Sequence, residues 1–115
     1  MERIRPGAEV GIETTIFKYQ ENITQSSLSE KLNFLVKSNT LDAIIIQLPL
    51  PAQLDINLLI KIVPNNMDVD NLKGTSPYIP ATPKGILMMM GYLKEDFERK
   101  HVVMIGRSKI GLLLL

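Results

Sequence analysis

Gln47 closes the run Asp42-Ala43-Ile44-Ile45-Ile46-Gln47-Leu48, a short apolar stretch with prolines at 49 and 51. Continuous apolar runs of this length are expected of parallel strands covered on both faces, and ligands of open α/β sheets sit at the carboxyl ends of such strands. There the Gln47 amide offers a donor and an acceptor to a substrate or a catalytic side chain, although by itself the plainer reading is a glutamine satisfying loop backbone. Asp68-Val69-Asp70 supplies two carboxylates at i and i+2 in a proline-bounded loop. In an extended segment they point to one side, where a carboxylate could accept paired hydrogen bonds from a heterocycle edge or hold a cation; two loop acids capping turns is the plainer alternative. Gly106-Arg107-Ser108 leaves one apolar run and precedes another. Backbone N–H groups at such a turn favour an anion, and Arg107 could take a 2′-phosphate, yet the full Gly-x-Gly-x-x-Gly spacing is absent.

Helices and strands must hold these groups. Residues 10–19 are rich in β-branched and aromatic types and read as a strand. Ser27-x-x-Glu30 reads as a capping box before Leu28, Leu32, Leu35 and Val36, apolar at helical spacing, with fraying near Asn39. Asp55 caps a helix through about Val63, and Pro64 stops it. A loop with four prolines covers residues 64–83. Thr82-Pro83 reads as N-cap and first position of a helix to about Phe97, and His101-Val102-Val103-Met104-Ile105 reads as a further buried strand. Alternating strands and helices predict an α/β class with parallel pairing.

Composition excludes several functions. Of 115 residues, 45% are hydrophobic and 22% charged, an ordinary globular balance rather than a disordered one. Thirteen Lys/Arg against twelve Asp/Glu give +1 without a basic block. With aromatics at 5%, this argues against nucleic acid. There are no cysteines and one histidine, His101, so thiolate and histidine-cluster metal sites are ruled out and no metal is expected. No apolar run approaches the ~20 residues of a membrane span, and the first residues have no signal-peptide core. A soluble, cytoplasmic chain without membrane partners is expected.

In order and spacing, four blocks resemble the bifunctional methylenetetrahydrofolate dehydrogenase/methenyltetrahydrofolate cyclohydrolase family, FolD-type. They are Ile44-Ile45-Ile46-Gln47-Leu48-Pro49-Leu50-Pro51; Ile62-Val63-Pro64 leading to Asp68-Val69-Asp70; Ile79-Pro80-Ala81-Thr82-Pro83-Lys84-Gly85; and Val102-Val103-Met104-Ile105-Gly106-Arg107-Ser108-Lys109-Ile110. The likeness runs from Glu9-Val10-Gly11-Ile12 to Gly111. It implies parallel βαβ units of a folate-side domain, residues 1–82, running into the first strand of a Rossmann-like NAD(P)-binding domain, residues 83–115. The implied chemistry is oxidation of 5,10-methylenetetrahydrofolate with NADP, NAD being the alternative, and hydrolysis of the methenyl product to 10-formyltetrahydrofolate. The implied assembly is a homodimer. The implied location is the cytoplasm, or mitochondria for a eukaryotic homologue. By resemblance, Gln47 pairs with a catalytic lysine, Asp70 binds the pterin edge with Asp68 beside it, Ile46 and Leu48 line the substrate site, and Gly106, Arg107 and Ser108 form the cofactor turn.

The departures are specific. Counting back from Val10-Gly11-Ile12 puts Arg3 at the family's catalytic lysine, and the tyrosine of the Tyr-x-x-x-Lys motif would fall before Met1. Arginine stays protonated and cannot shuttle a proton. The family's Asp-Val-Asp-Gly is Asp68-Val69-Asp70-Asn71 here, and asparagine tolerates left-handed backbone. Nine residues, Asn71 to Ile79, separate Asp70 from Pro80, fewer than in the family. Beyond Ile110 only Gly111 and leucines follow. The expectation is therefore a family member truncated at both ends, its alternative a catalytically inert fragment that binds folate or serves as an interaction module.

Overall fold

The computed structural model describes residues 2–4 as backbone, 7–95, and residues 98, 100, 101, 103 and 105. Two short strands open the chain, β1 (Glu2–Ile4) and β2 (Thr14–Ile16), paired antiparallel with Arg3 opposite Thr15. The strand expected over 10–19 is thus confined to its centre, and its pairing is antiparallel. The turn between the strands takes up the start of that run: Ala8–Val10 form a 3-10 turn, and the Gly7 carbonyl accepts from Val10 N (3.1 Å) and Ile12 N (2.8 Å). A Cβ on Gly7 would lie 2.7 Å from the Ile12 carbonyl oxygen, so only glycine fits that turn.

Helix α1 (Gln25–Lys37) is capped three residues before the expected Ser27. Thr24, extended at φ −82°, accepts from Ser27 N at 3.3 Å, so Ser27 provides an N–H to be capped and is not itself the cap. Helix α2 (Ile56–Ile60) is capped by Asp55 as expected, Oδ1 accepting from Asn57 N at 2.8 Å, but ends three residues early. Gln25 joins the two helix starts, its Oε1 accepting from Asp55 N at 2.7 Å. The helices bury Leu32, Leu59 and Val63 together, with Leu28, Ile44, Ile46, Leu50, Ile62 and Met67 packed around them. This is the hydrophobic centre of the described chain.

The Asp42–Leu48 run lies against that centre by one face only. Ile44 and Ile46 pack inward, while Ile45 is 62% exposed. The expected fully covered strand is therefore a single parallel bridge, Ile44 to Asp68, with Ile44 N donating to the Met67 carbonyl at 2.9 Å. That bridge is the parallel element among the described residues.

Helix α3 (Ala81–Tyr92) begins with Pro80 as its cap, two residues before the expected Thr82. Pro83 is tolerated because the first-turn N–H groups of a helix lack partners anyway. The helix ends at Tyr92 instead of Phe97: Lys94 adopts left-handed φ +55°, its N–H bonds back to the Gly91 carbonyl (3.1 Å), and Glu95 N–H bonds to Met90 (3.0 Å). This pair of backward bonds closes a helix C-terminus. His101, Val103 and Ile105, expected in a buried strand, are exposed and belong to no strand; their neighbours Val102 and Met104 lie outside the described residues. Among the described residues no helix is long and apolar enough to cross a membrane. The architecture is a small α/β arrangement.

Candidate functional site

The Ile44–Asp68 bridge sets two chain segments side by side, and two residues further along each of them a recess of about 200 Å³ opens. It is lined by Ile45, Ile46, Gln47, Leu48, Asp70 and Leu72. The fold thus brings Gln47 and Asp70, 23 positions apart by their numbers (70 − 47), to one place. Ligand pockets usually run to ~300 Å³ or more, so this volume suits one end of a ligand rather than the whole.

The two acids have separated roles. The 68–74 segment turns instead of extending, so the shared side that an extended segment would give Asp68 and Asp70 is lost, and Asp68 follows the plainer, turn-capping reading. Asp68 is 4% exposed and does not line the recess. Its Oδ1 accepts from Leu72 N at 3.1 Å and its Oδ2 from Lys73 N at 3.0 Å. Both carboxylate oxygens of Asp68 are thus engaged inside the loop. Asp70 is half-buried at the recess wall, and its carboxylate has no hydrogen-bond partner among the described residues. An ionised carboxylate is acceptor-only, so Asp70 presents open acceptor capacity to the recess.

Gln47 is exposed, its Nε2 donating to the Leu48 carbonyl at 3.1 Å. The Leu48–Pro49 peptide is cis. Ile46 serves two sides, packing on the core and lining the recess, and Leu48 adds apolar wall. Ile45 and Leu72 complete the lining and were not singled out from sequence. Ile45 could have been found, because it shares the two-residue period of Gln47; Leu72 carries no such signal. Arg3 lies in β1 with its backbone opposite Thr15. Gly106, Arg107 and Ser108 lie outside the described residues.

Chemically, the recess combines apolar walls with a carboxylate and a carboxamide at its edges. A flat ring with N–H donors along one edge matches that set.

Fold and site thus define a small α/β chain with a carboxylate–carboxamide recess at a strand end. The model of the tetrahydrofolate dehydrogenase/cyclohydrolase catalytic domain matches residues 3–70, and the chain belongs to this family. The bifunctional protein FolD of Flavobacterium johnsoniae is 32% identical over 94% of this chain and 40% of its own length. That of Salinibacter ruber is 36% identical over 92% of this chain and 39% of its own. A crystal structure of the bifunctional enzyme FolD, methylenetetrahydrofolate dehydrogenase/cyclohydrolase, from Campylobacter jejuni superposes with a TM-score of 0.81 at 29% identity, covering 94% of this chain and 42% of that one. The chain spans about 40% of the length of the relatives it matches.

Proposed function

We propose that the recess between Gln47 and Asp70 receives the pterin end of a tetrahydrofolate, with Asp70 as its anchor. The observation that carries this reading is a half-buried carboxylate, without a hydrogen-bond partner among the described residues, at the wall of a recess of about 200 Å³. The pterin edge offers neighbouring N–H donors, and a carboxylate accepts two in parallel, a charge-assisted arrangement stronger than neutral hydrogen bonds. Ile46 and Leu48 flank the ring, and Gln47 supplies a polar contact at the rim.

Family membership extends the proposal to one-carbon folate metabolism: NADP-dependent oxidation of 5,10-methylenetetrahydrofolate, with NAD the alternative, and hydrolysis of the methenyl product. The cofactor supplies the hydride acceptor when bound. Its proposed contacts, Gly106, Arg107 and Ser108, rest on sequence likeness. So does the division into a folate-side unit, 1–82, and a cofactor unit from 83 onward, whose boundary falls in the first turn of α3. A homodimer and a cytoplasmic setting complete the proposal.

Arg3 favours a narrower role for this polypeptide. At the position of the family lysine it cannot pass a proton at neutral pH, so folate binding without cyclohydrolase turnover is the activity proposed for the chain as it stands.

Calorimetric titration of the 115-residue chain with tetrahydrofolate tests the site. Asp70→Asn replaces one acceptor oxygen by a donor that faces another donor. It should weaken binding by roughly tenfold to a hundredfold, the equivalent of about 1.5–3 kcal/mol for a hydrogen bond to a charged group. Equal affinity of the two proteins would overturn Asp70 as the anchor, and measurable hydrolysis of methenyltetrahydrofolate would overturn the binding-only role.

A further inference from the structure

Two residues beside Asp70, neither of them facing the recess, determine where its carboxylate stands. Asp68 and Asn71 are the buried polar residues among those described, at 4% and 7% exposure, and they bracket Asp70 from either side. Asp68 gathers the turn ahead of it through Leu72 N and Lys73 N, and its backbone carbonyl accepts from Asn71 N (3.2 Å) and Ser76 Oγ (2.6 Å). Asn71 adopts left-handed φ +50°, a conformation for which glycine is the usual residue. The asparagine brings something glycine lacks: its Oδ1 accepts from Ser76 N at 2.9 Å, drawing the descending arm of the loop back across the turn. Its own carbonyl accepts from Gly74 N at 3.0 Å.

We propose that Asn71 is a positioning residue, a side-chain latch to Ser76 that holds the short loop closed and fixes Asp70 at the wall of the recess. The inference rests on the reading of Asp70 as the folate anchor. Asp70 has no hydrogen bond of its own among the described residues, so its placement is inherited from the backbone at 68 and 71. Were the bond between Asn71 and Ser76 lost, the turn would keep its left-handed residue but not its closure, and the carboxylate would sample positions away from Gln47.

The test uses Asn71→Gly, which keeps the left-handed backbone and removes the acceptor, and Asn71→Asp, which keeps both. Both are made in the full chain, with thermal unfolding to show that the fold persists. In Asn71→Gly the Ser76 amide should exchange with solvent about tenfold faster, amide relaxation should report a more mobile Asp70, and tetrahydrofolate should bind roughly two- to tenfold more weakly, the scale of one hydrogen bond. Asn71→Asp should restore all three. A purely structural role would lower the unfolding temperature without being rescued in affinity by Asn71→Asp. The latch is overturned if Ser76 exchange is unchanged. It is also overturned if exchange quickens while affinity holds and Asp70→Asn still weakens binding, a result that leaves the folate reading standing. If wild type and Asp70→Asn bind tetrahydrofolate alike, the folate reading fails alone. The latch is then decided by Asp70 relaxation in Asn71→Gly: greater mobility upholds it and an unchanged profile overturns it.

Discussion

The loop over residues 63–76 and helix α3 are neighbours in sequence but are held by opposite means. The loop has almost no regular structure, yet its polar groups answer one another. Asp68 and Asn71 accept from backbone amides, Ser76 Oγ donates to a carbonyl, and Lys73 Nζ reaches both the Val63 carbonyl and Asn65 Oδ1. Helix α3 has regular backbone bonds and a good C-terminal closure, but Ile86, Leu87, Met88, Met89 and Tyr92 stand exposed, and Pro83 is its one buried residue. Regular secondary structure satisfies the backbone. It does not by itself bury side chains, and most helical stability in proteins comes from packing an apolar face. The irregular loop is therefore the better-determined region, and that is where the candidate site lies.

The largest break in this contrast should come from the core beneath the loop. Leu59 is 1% exposed between α1 and the start of the loop. Leu59→Ala should cost about 2–5 kcal/mol through lost burial and the cavity left behind, a large share of a small domain's stability. Met88→Ala on α3, where Met88 is 67% exposed, should stay within about 0.5 kcal/mol. Urea unfolding followed by circular dichroism measures both; a comparable loss for the two would mean that α3 is packed as tightly as the core.

Next in size is the buried acid. Asp68→Ala leaves the Leu72 and Lys73 amides without their acceptor, at about 1–3 kcal/mol for an unsatisfied buried group. Amide exchange should quicken at those two positions while the amides of α1 keep their protection. If all amides quicken together, Asp68 supports the whole fold and not the loop alone.

The smallest effect is expected at the end of α3. Lys94 sits at φ +55°, where a Cβ costs energy that glycine avoids. Lys94→Gly should stabilise the chain by at most about 1 kcal/mol, since glycine also gives the unfolded chain more freedom. A loss of stability in thermal unfolding would show that the lysine side chain contributes a contact that outweighs its backbone strain.

The sequence by itself determined the local signals. Asp55 at a cap, Leu32 on the inner face of α1, the proline-bounded loop and a left-handed Asn71 were all legible, because each depends on a residue and its immediate neighbours. So was the pairing of blocks that marks the family, since residues 3–70 carry it in linear order. Element boundaries were less so: Thr24 outcompetes Ser27 as the cap of α1, and Lys94 ends α3 early, both choices between neighbours of similar propensity. The family likeness already set Asp70 apart from Asp68; what only the tertiary structure decided is how the two acids come to stand apart and what Asp70 meets. An extended segment would put Asp68 and Asp70 on one side, but the loop turns, with Asp68 binding the Leu72 and Lys73 amides and Asn71 binding Ser76. The same turn, bridged to Ile44, carries Asp70 to Gln47. That meeting depends on contacts between segments distant in sequence, and no local pattern encodes it.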